Sequence, residues 1–228
     1  MKLKFVSVAL AALVASTAPA QAVITVYTSL AAFTAATTAQ GTDNYTGFSI
    51  TGTTPTPVIR STQTGTSYTY TANATPTGLF FGAGTTANPW LSTNTATDTI
   101  TFNTFVGGSN GVGGNFFGSN IAGAFQLGDI TVVATDVNGS FTQTLLAATT
   151  DRFIGFVSDS AITSLTVTAV QPTTGNLWPT VDNLVFARRP AVVAAIPESS
   201  TWLMMVAGFG LVGGAMRRRT SARIAQAF

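Results

Sequence analysis

The chain has 228 residues, of which 46% are hydrophobic and only 8% charged, with no Cys and no His; disulfides, thiolate chemistry, a Ser-His-Asp triad and an ordinary zinc site are excluded. The formal net charge of +2 is concentrated at the ends: between Val23 and Ala187 only Arg60 and Arg152 face seven aspartates, a net −5. That body has no basic patch for phosphates, which excludes nucleic-acid binding.

Residues 1–22 have the pattern of a secretory signal peptide. Lys2 and Lys4 give the positive start, residues 5–14 the apolar run, and Ala20-Gln21-Ala22 the small-x-small cleavage site. The run is too short to span a membrane as an anchor, so the mature chain is expected to begin near Val23. A first strand follows at 23–28. Ser29 is placed to cap a short helix, with Leu30 and Phe33 on one face against a sheet. Further strands are expected at 45–51, 67–72, 79–81 and 99–105. Residues 53–57 hold two prolines and suit a loop or sheet edge. Residues 107–114 suit a flexible Gly-rich loop.

Strict alternation at 130–135 and 141–146 brackets Asn138-Gly139, a hairpin signal in which both turn residues can take positive φ. Strands at 152–158, 162–170 and 180–186 complete the body. Many strands, close turns and one short helix predict an all-β fold, a β-sandwich of jelly-roll type, over residues 23–187. Residues 188–195 form a small-residue linker. An uncharged helix over 202–216 follows, stopped by Arg217, Arg218 and Arg219, and 221–228 form a cytoplasmic tail. At 1.5 Å per residue that run reaches roughly 22 Å against a hydrocarbon core of ~30 Å. Thr201, Trp202 and snorkelling arginines extend it into a transmembrane helix, with the basic end in the cytoplasm.

Pro197-Glu198-Ser199, Trp202, the apolar run and the three arginines together resemble a PEP-CTERM sorting domain over residues 196–220, in the variety with a Trp shortly after Pro-Glu-Pro. Ser199 stands where that family has Pro, and Leu203 where it has Ala. The resemblance implies recognition by an exosortase, a membrane protease-transpeptidase, in a Gram-negative exopolysaccharide producer. The implied partners are signal peptidase and the secretion machinery, the exosortase, the membrane and exopolysaccharide. Gly208, Gly210 and Gly214 keep the helix slim, and the last two have GxxxG spacing. Phe153-Ile154-Gly155-Phe156-Val157 and the segment from Trp178 to Phe186 are similar to the variable β domains borne by such tails.

Within the body, Asp182 and Asn183 beside Trp178 are the strongest candidate site. They could offer oxygens to Ca²⁺ and a ring to a sugar; a carboxylate bonding neighbouring backbone N–H groups is the favoured alternative. Asp136-Val137-Asn138-Gly139-Ser140 lacks the spacing of a calcium loop and suits a turn. Asp151 neighbours Arg152, a surface pair of little consequence. The 107–114 glycines lack the Lys of a phosphate loop, and Trp90 suits the core. The body's acids are scattered aspartates with no Glu, His or Lys partner, so no catalytic residue, metal or cofactor is expected. The expected function is a non-catalytic surface or extracellular-matrix protein. A carbohydrate-binding module is the alternative, ahead of a polysaccharide-active enzyme.

Overall fold

A computed structural model describes residues 23–191 and 199–221. The chain divides into two compact units, Met1–Pro190 and Ala191–Phe228. In the first, the described residues form β1 (Thr25–Tyr27), α1 (Leu30–Ala35), β2 (Thr38–Asp43), β3 (Thr53–Pro55), β4 (Val58–Ser61), β5 (Thr64–Gly65), β6 (Thr69–Thr75), β7 (Leu79–Gly84) and β8 (Pro89–Thr93). They continue as β9 (Thr99–Val106), β10 (Gly111–Ser119), β11 (Phe125–Gln126), β12 (Gly128–Asp136), β13 (Ser140–Ala148), β14 (Phe153–Val157), β15 (Ile162–Ala169) and β16 (Trp178–Arg188).

These strands make two sheets. One runs β1-β14-β10-β16-β8-β7-β3, with β11 beside β10 and β2 bridging β16 to β5; the other runs β13-β12-β15-β9-β6-β4. Every pairing is antiparallel. The architecture is therefore all-β and sandwich-like. Alternation explains it: Ile130, Val132 and Ala134 of β12 and Leu165 and Val167 of β15 are fully buried, while the intervening Thr131, Thr166 and Thr168 stay partly exposed. One buried cluster joins these residues to Phe80, Leu91, Phe102, Phe116, Ile154 and Phe186 from both sheets.

The first sheet is also covered on its other face. Phe33 of α1 is fully buried against Phe153, Val157, Val185 and Ala187, residues of opposite parity to Ile154, Phe156, Leu184 and Phe186 in the main core. A glycine bed makes room for its ring: a Cβ on Gly155 would lie 2.4 Å from Phe33 Cδ2, and one on Gly111 3.1 Å from Cζ. Glycines 111, 113 and 114 thus belong to a buried central strand; of the flexible loop expected over 107–114, only residues 107–110 lie outside a strand. Their lost side chains let another element approach the sheet closely. Ser29 caps α1 as expected, accepting the Ala32 N–H at 3.2 Å. Leu30 is a correction: it is exposed, and Phe33 alone makes the contact.

Two further expectations change. The 45–51 segment is not a strand; Tyr45 sits at φ +57°, and Tyr45 and Phe48 enter the main core from a loop. The β12–β13 turn has neither Asn138 nor Gly139 at positive φ, so it is not a left-handed two-residue turn. The Asp136 side chain holds it instead. The proline-bearing 53–57 segment supplies β3, the last strand on its sheet, as edge placement of proline predicts.

In the second unit, α2 spans Ser199–Ser221, 23 residues that contain the uncharged 202–216 run. From Trp202 to Arg217 every side chain is exposed. Among the described residues no helix is long and apolar enough to cross a membrane. Ala20, Ala22, Pro197 and Glu198 lie outside the described residues, as do the side chains of Ser199, Arg218 and Arg219.

Candidate functional site

β16 carries Trp178, Asp182 and Asn183 through the middle of the first sheet. Its register against β10 shifts between Gly113 and Asn115, opposite Val185 and Asp182. This bulge places Asn183 at φ +49°. Asp182 is 5% exposed, and its carboxylate is used locally. Oδ1 accepts the Asn183 N–H at 2.7 Å; Oδ2 accepts Asn183 Nδ2 at 2.9 Å and Asn88 Nδ2 at 3.4 Å. Burial pushes the Asp182 carboxyl above the usual range, against the pull of the Asn183 N–H and the Asn88 amide.

Trp178 shares the sheet face with Asp182, two residues beyond Thr180. The gap between them is closed by hydroxyls. Thr180 Oγ1, fully buried, is hydrogen-bonded with Ser92 Oγ at 3.0 Å and Ser119 Oγ at 2.8 Å, its single proton serving one of the two. Trp178 Nε1 donates to Asn94 O at 3.3 Å. Trp90 packs edge-to-face on Phe117 with centroids 4.8 Å apart and touches the main core. The segment is therefore braced from within, and Asp182 spends its carboxylate oxygens on Asn183 and Asn88.

Asp136 closes the β12–β13 turn. Its Oδ1 accepts Asn138 N–H at 2.7 Å and Gly139 N–H at 2.9 Å, and its Oδ2 accepts the buried Ser158 hydroxyl at 2.6 Å. Burial pushes this carboxyl up, but those three hydrogen bonds outweigh it and hold it below the usual range. Asp151 takes the Thr149 hydroxyl at 2.5 Å, the leading cause of its lowered pKa, with the Arg152 charge a minor contributor.

A further buried polar cluster centres on Asp43, a residue that no motif in the sequence marks. Asp43 is fully buried and accepts four bonds: Arg60 Nε at 2.7 Å and Nη2 at 2.8 Å, Tyr70 Oη at 2.7 Å and Tyr45 N–H at 2.7 Å. The Arg60 guanidinium lies over the Tyr45 ring, 5.2 Å from its centroid. Burial alone would lower the Arg60 pKa; the Asp43 carboxylate outweighs it and raises it. Burial first, and the Asp43 charge after it, push Tyr45 well above the ordinary tyrosine value. The sequence carries no clear signal for this cluster: Val58 and Ile59 are both apolar, and only the structure shows that Arg60 shares the partly buried parity of Val58 while Ile59 is exposed.

Recesses on the body bear on the question of chemistry. One, of about 320 Å³, is lined by Val23, Ile24, Asp136, Asn138 and Phe141. Another, of about 450 Å³, lies between the 126–129 and 170–177 segments and contains Asp129. Each brings a single carboxylate, whereas glycoside hydrolysis of the usual kind needs a facing pair. Among the described residues no three His, Cys, Asp or Glu side chains gather as a metal site would require. No family model matches the chain, and no curated protein is similar to it.

Proposed function

We propose that this chain is an exported, non-catalytic surface or extracellular-matrix protein, released from its signal peptide after Ala22 and sorted by an exosortase through its C-terminal segment. The observation that carries the reading is α2. It begins at Ser199, directly after Pro197-Glu198 in the sequence, and leaves Trp202, Leu203, Val206, Phe209 and Leu211 all exposed on its uncharged 202–216 run. A run of exposed large apolar side chains calls for a lipid or protein environment to cover it. Trp202 at one end and Arg217, Arg218 and Arg219 at the other suit the two interfaces of a thin membrane, the arginines inside. Pro197 would keep the preceding chain extended and open to an integral protease. In the body, the path changes sheet at every step from β3 to β7 and again at β8–β9, β9–β10, β11–β12, β13–β14, β14–β15 and β15–β16, which supports the jelly-roll type of sandwich.

The test is Glu198→Ala in a host that has its exosortase. Wild type should yield a shortened, processed form, and the variant should accumulate at full length in the membrane fraction. Identical full-length membrane bands for both would end the sorting reading.

A further inference from the structure

Among the described residues six strands pair on one side only, β1, β3, β5, β11, β4 and β13, and they are not alike: β5 and β11 have just two residues each. β1 and β3 have three residues each, and β3 ends at Pro55; β4 has four. β13 has nine, Ser140 to Ala148, with no charge and no proline. Short edges and prolines are the usual guards against strand addition, and β13 lacks both. Its only guard is a bulge near its end, where the register shifts opposite Ile130 and Gly128 and Ala147 takes φ +44°.

The pairing register identifies the open backbone groups. Asp136 N–H donates to Gly139 O at 2.9 Å, so Ala134–Phe141 and Val132–Gln143 are the hydrogen-bonded pairs of this hairpin. Thr142 and Thr144 therefore turn their N–H and C=O groups away from β12. The Thr144 carbonyl accepts Gln143's own side-chain amide at 3.0 Å, a local substitute for a neighbouring strand. Phe141 and Leu146 are 39% and 71% exposed along the same edge.

We infer that β13 pairs antiparallel with β13 of a second copy of this chain, joining their sheets across a twofold axis at Gln143. Only an extended strand offers donors and acceptors at the spacing that Thr142 and Thr144 present. A second copy fits because the 140–146 segment carries no charge and so meets itself without repulsion. In that register Thr142 exchanges both bonds with the second copy's Thr144, and the reverse. The same patch serves on both copies, as a twofold interface requires. The inference does not depend on the sorting reading.

The test uses the mature full-length chain in detergent. Wild type should sediment at twice the protein mass of one chain. Thr142→Pro removes an outward N–H without costing a β12 bond, and Thr144→Lys adds a guard charge. Both should give monomers that keep the wild-type far-ultraviolet spectrum. The chain has no cysteine of its own, so Gln143→Cys should be captured as a disulfide-linked dimer under mild oxidation. Directly opposed non-hydrogen-bonded residues lie about 4.5 Å apart at Cα, within disulfide reach. Ile121→Cys, exposed elsewhere, should not be captured. A monomeric wild type overturns the inference. So does a dimer that survives Thr142→Pro and leaves position 143 uncrosslinked, which would place the contact in the tail or another surface.

Discussion

Arg60 and Asp43 meet as a two-pronged ion pair, Nε to Oδ2 at 2.7 Å and Nη2 to Oδ1 at 2.8 Å, with the Asp43 side chain wholly removed from solvent. Breaking such a pair strands a buried charge. Arg60→Met should therefore cost about 3–5 kcal/mol in a denaturant melt. Replacing both partners with apolar residues should cost far less than that single change, because no charge is then left without a partner. Arg60→Lys should fall between wild type and Arg60→Met, since an ammonium cannot reproduce the planar fork.

The same cluster sets an alkaline limit. Tyr45 and Tyr70 both have raised pKa values, with burial the first cause. A group whose folded pKa lies above its unfolded value contributes fully below the unfolded value, about 10 for tyrosine, and less as pH rises beyond it. The melting temperature should thus fall steeply above about pH 10. Tyr70→Phe should flatten that slope while losing one bond to Asp43.

Gly155 and Phe33 form the second constraint. A methyl group on Gly155 would meet Phe33 Cδ2 at 2.4 Å and Phe153 Cε1 at 3.0 Å. Gly155→Ala should destabilise by about 1–3 kcal/mol through overpacking, and Phe33→Ala by about 3–5 kcal/mol through the void it leaves. Combined with Phe33→Leu, the Gly155→Ala cost should shrink, because the smaller side chain leaves room for the methyl. Additive losses in a double-mutant cycle would show that the two positions do not compete for one space.

This pair also explains what the sequence could not convey. β12 and β15 were legible because period-two alternation marks a strand with one buried face. β10 was not: its glycines look like loop residues, and only the fold shows Phe33 over Gly111 and Phe153 with the β14 backbone against Gly113. β2, Thr-Ala-Gln-Gly-Thr-Asp, has no apolar alternation, and its pairing with β16 and β5 is visible only in three dimensions. Tyr45 and Phe48 have the composition of a strand, yet Asp43 turns the chain by accepting the Tyr45 N–H. The Asp182–Asn183 pair was legible as a polar interruption of an apolar strand, and its bulge was not.

Asp136 gives an acid-side prediction. Its carboxyl is held below the usual range, so its contribution is present above the unfolded value of about 4 and is lost as pH falls below it. Asp136→Ala leaves the Ser158 hydroxyl buried without its acceptor and frees two turn N–H groups. A loss of about 1–3 kcal/mol at pH 7 is expected. The gap between variant and wild type should narrow as pH is lowered toward 3, read as melting midpoints across that range. A gap independent of pH would mean that the carboxylate charge does not hold the turn.

Asp182 should behave in the opposite sense. Burial raises its pKa, so its protonated form is the one the fold favours. A raised folded pKa contributes stability below the unfolded value, about 4, and that contribution disappears as pH climbs through the folded value. As pH climbs through the folded value the wild-type chain takes on the cost of an ionised carboxylate at a buried position, bonded to Asn88 and Asn183. Asp182→Asn removes the charge while keeping an oxygen for the Asn183 N–H that sets the bulge. Its melting midpoint relative to wild type should therefore rise as pH goes from about 3 to 7, the reverse of the acid trend at Asp136. Calcium provides the contrasting arm. A carboxylate that served as a metal ligand would lose stability on this change in the presence of millimolar Ca²⁺, and wild type would melt higher with Ca²⁺ than with chelator. Equal wild-type midpoints with and without chelator, together with the rising relative midpoint of Asp182→Asn, would identify Asp182 as the anchor of its own strand. A Ca²⁺-dependent rise confined to wild type would make it a ligand instead.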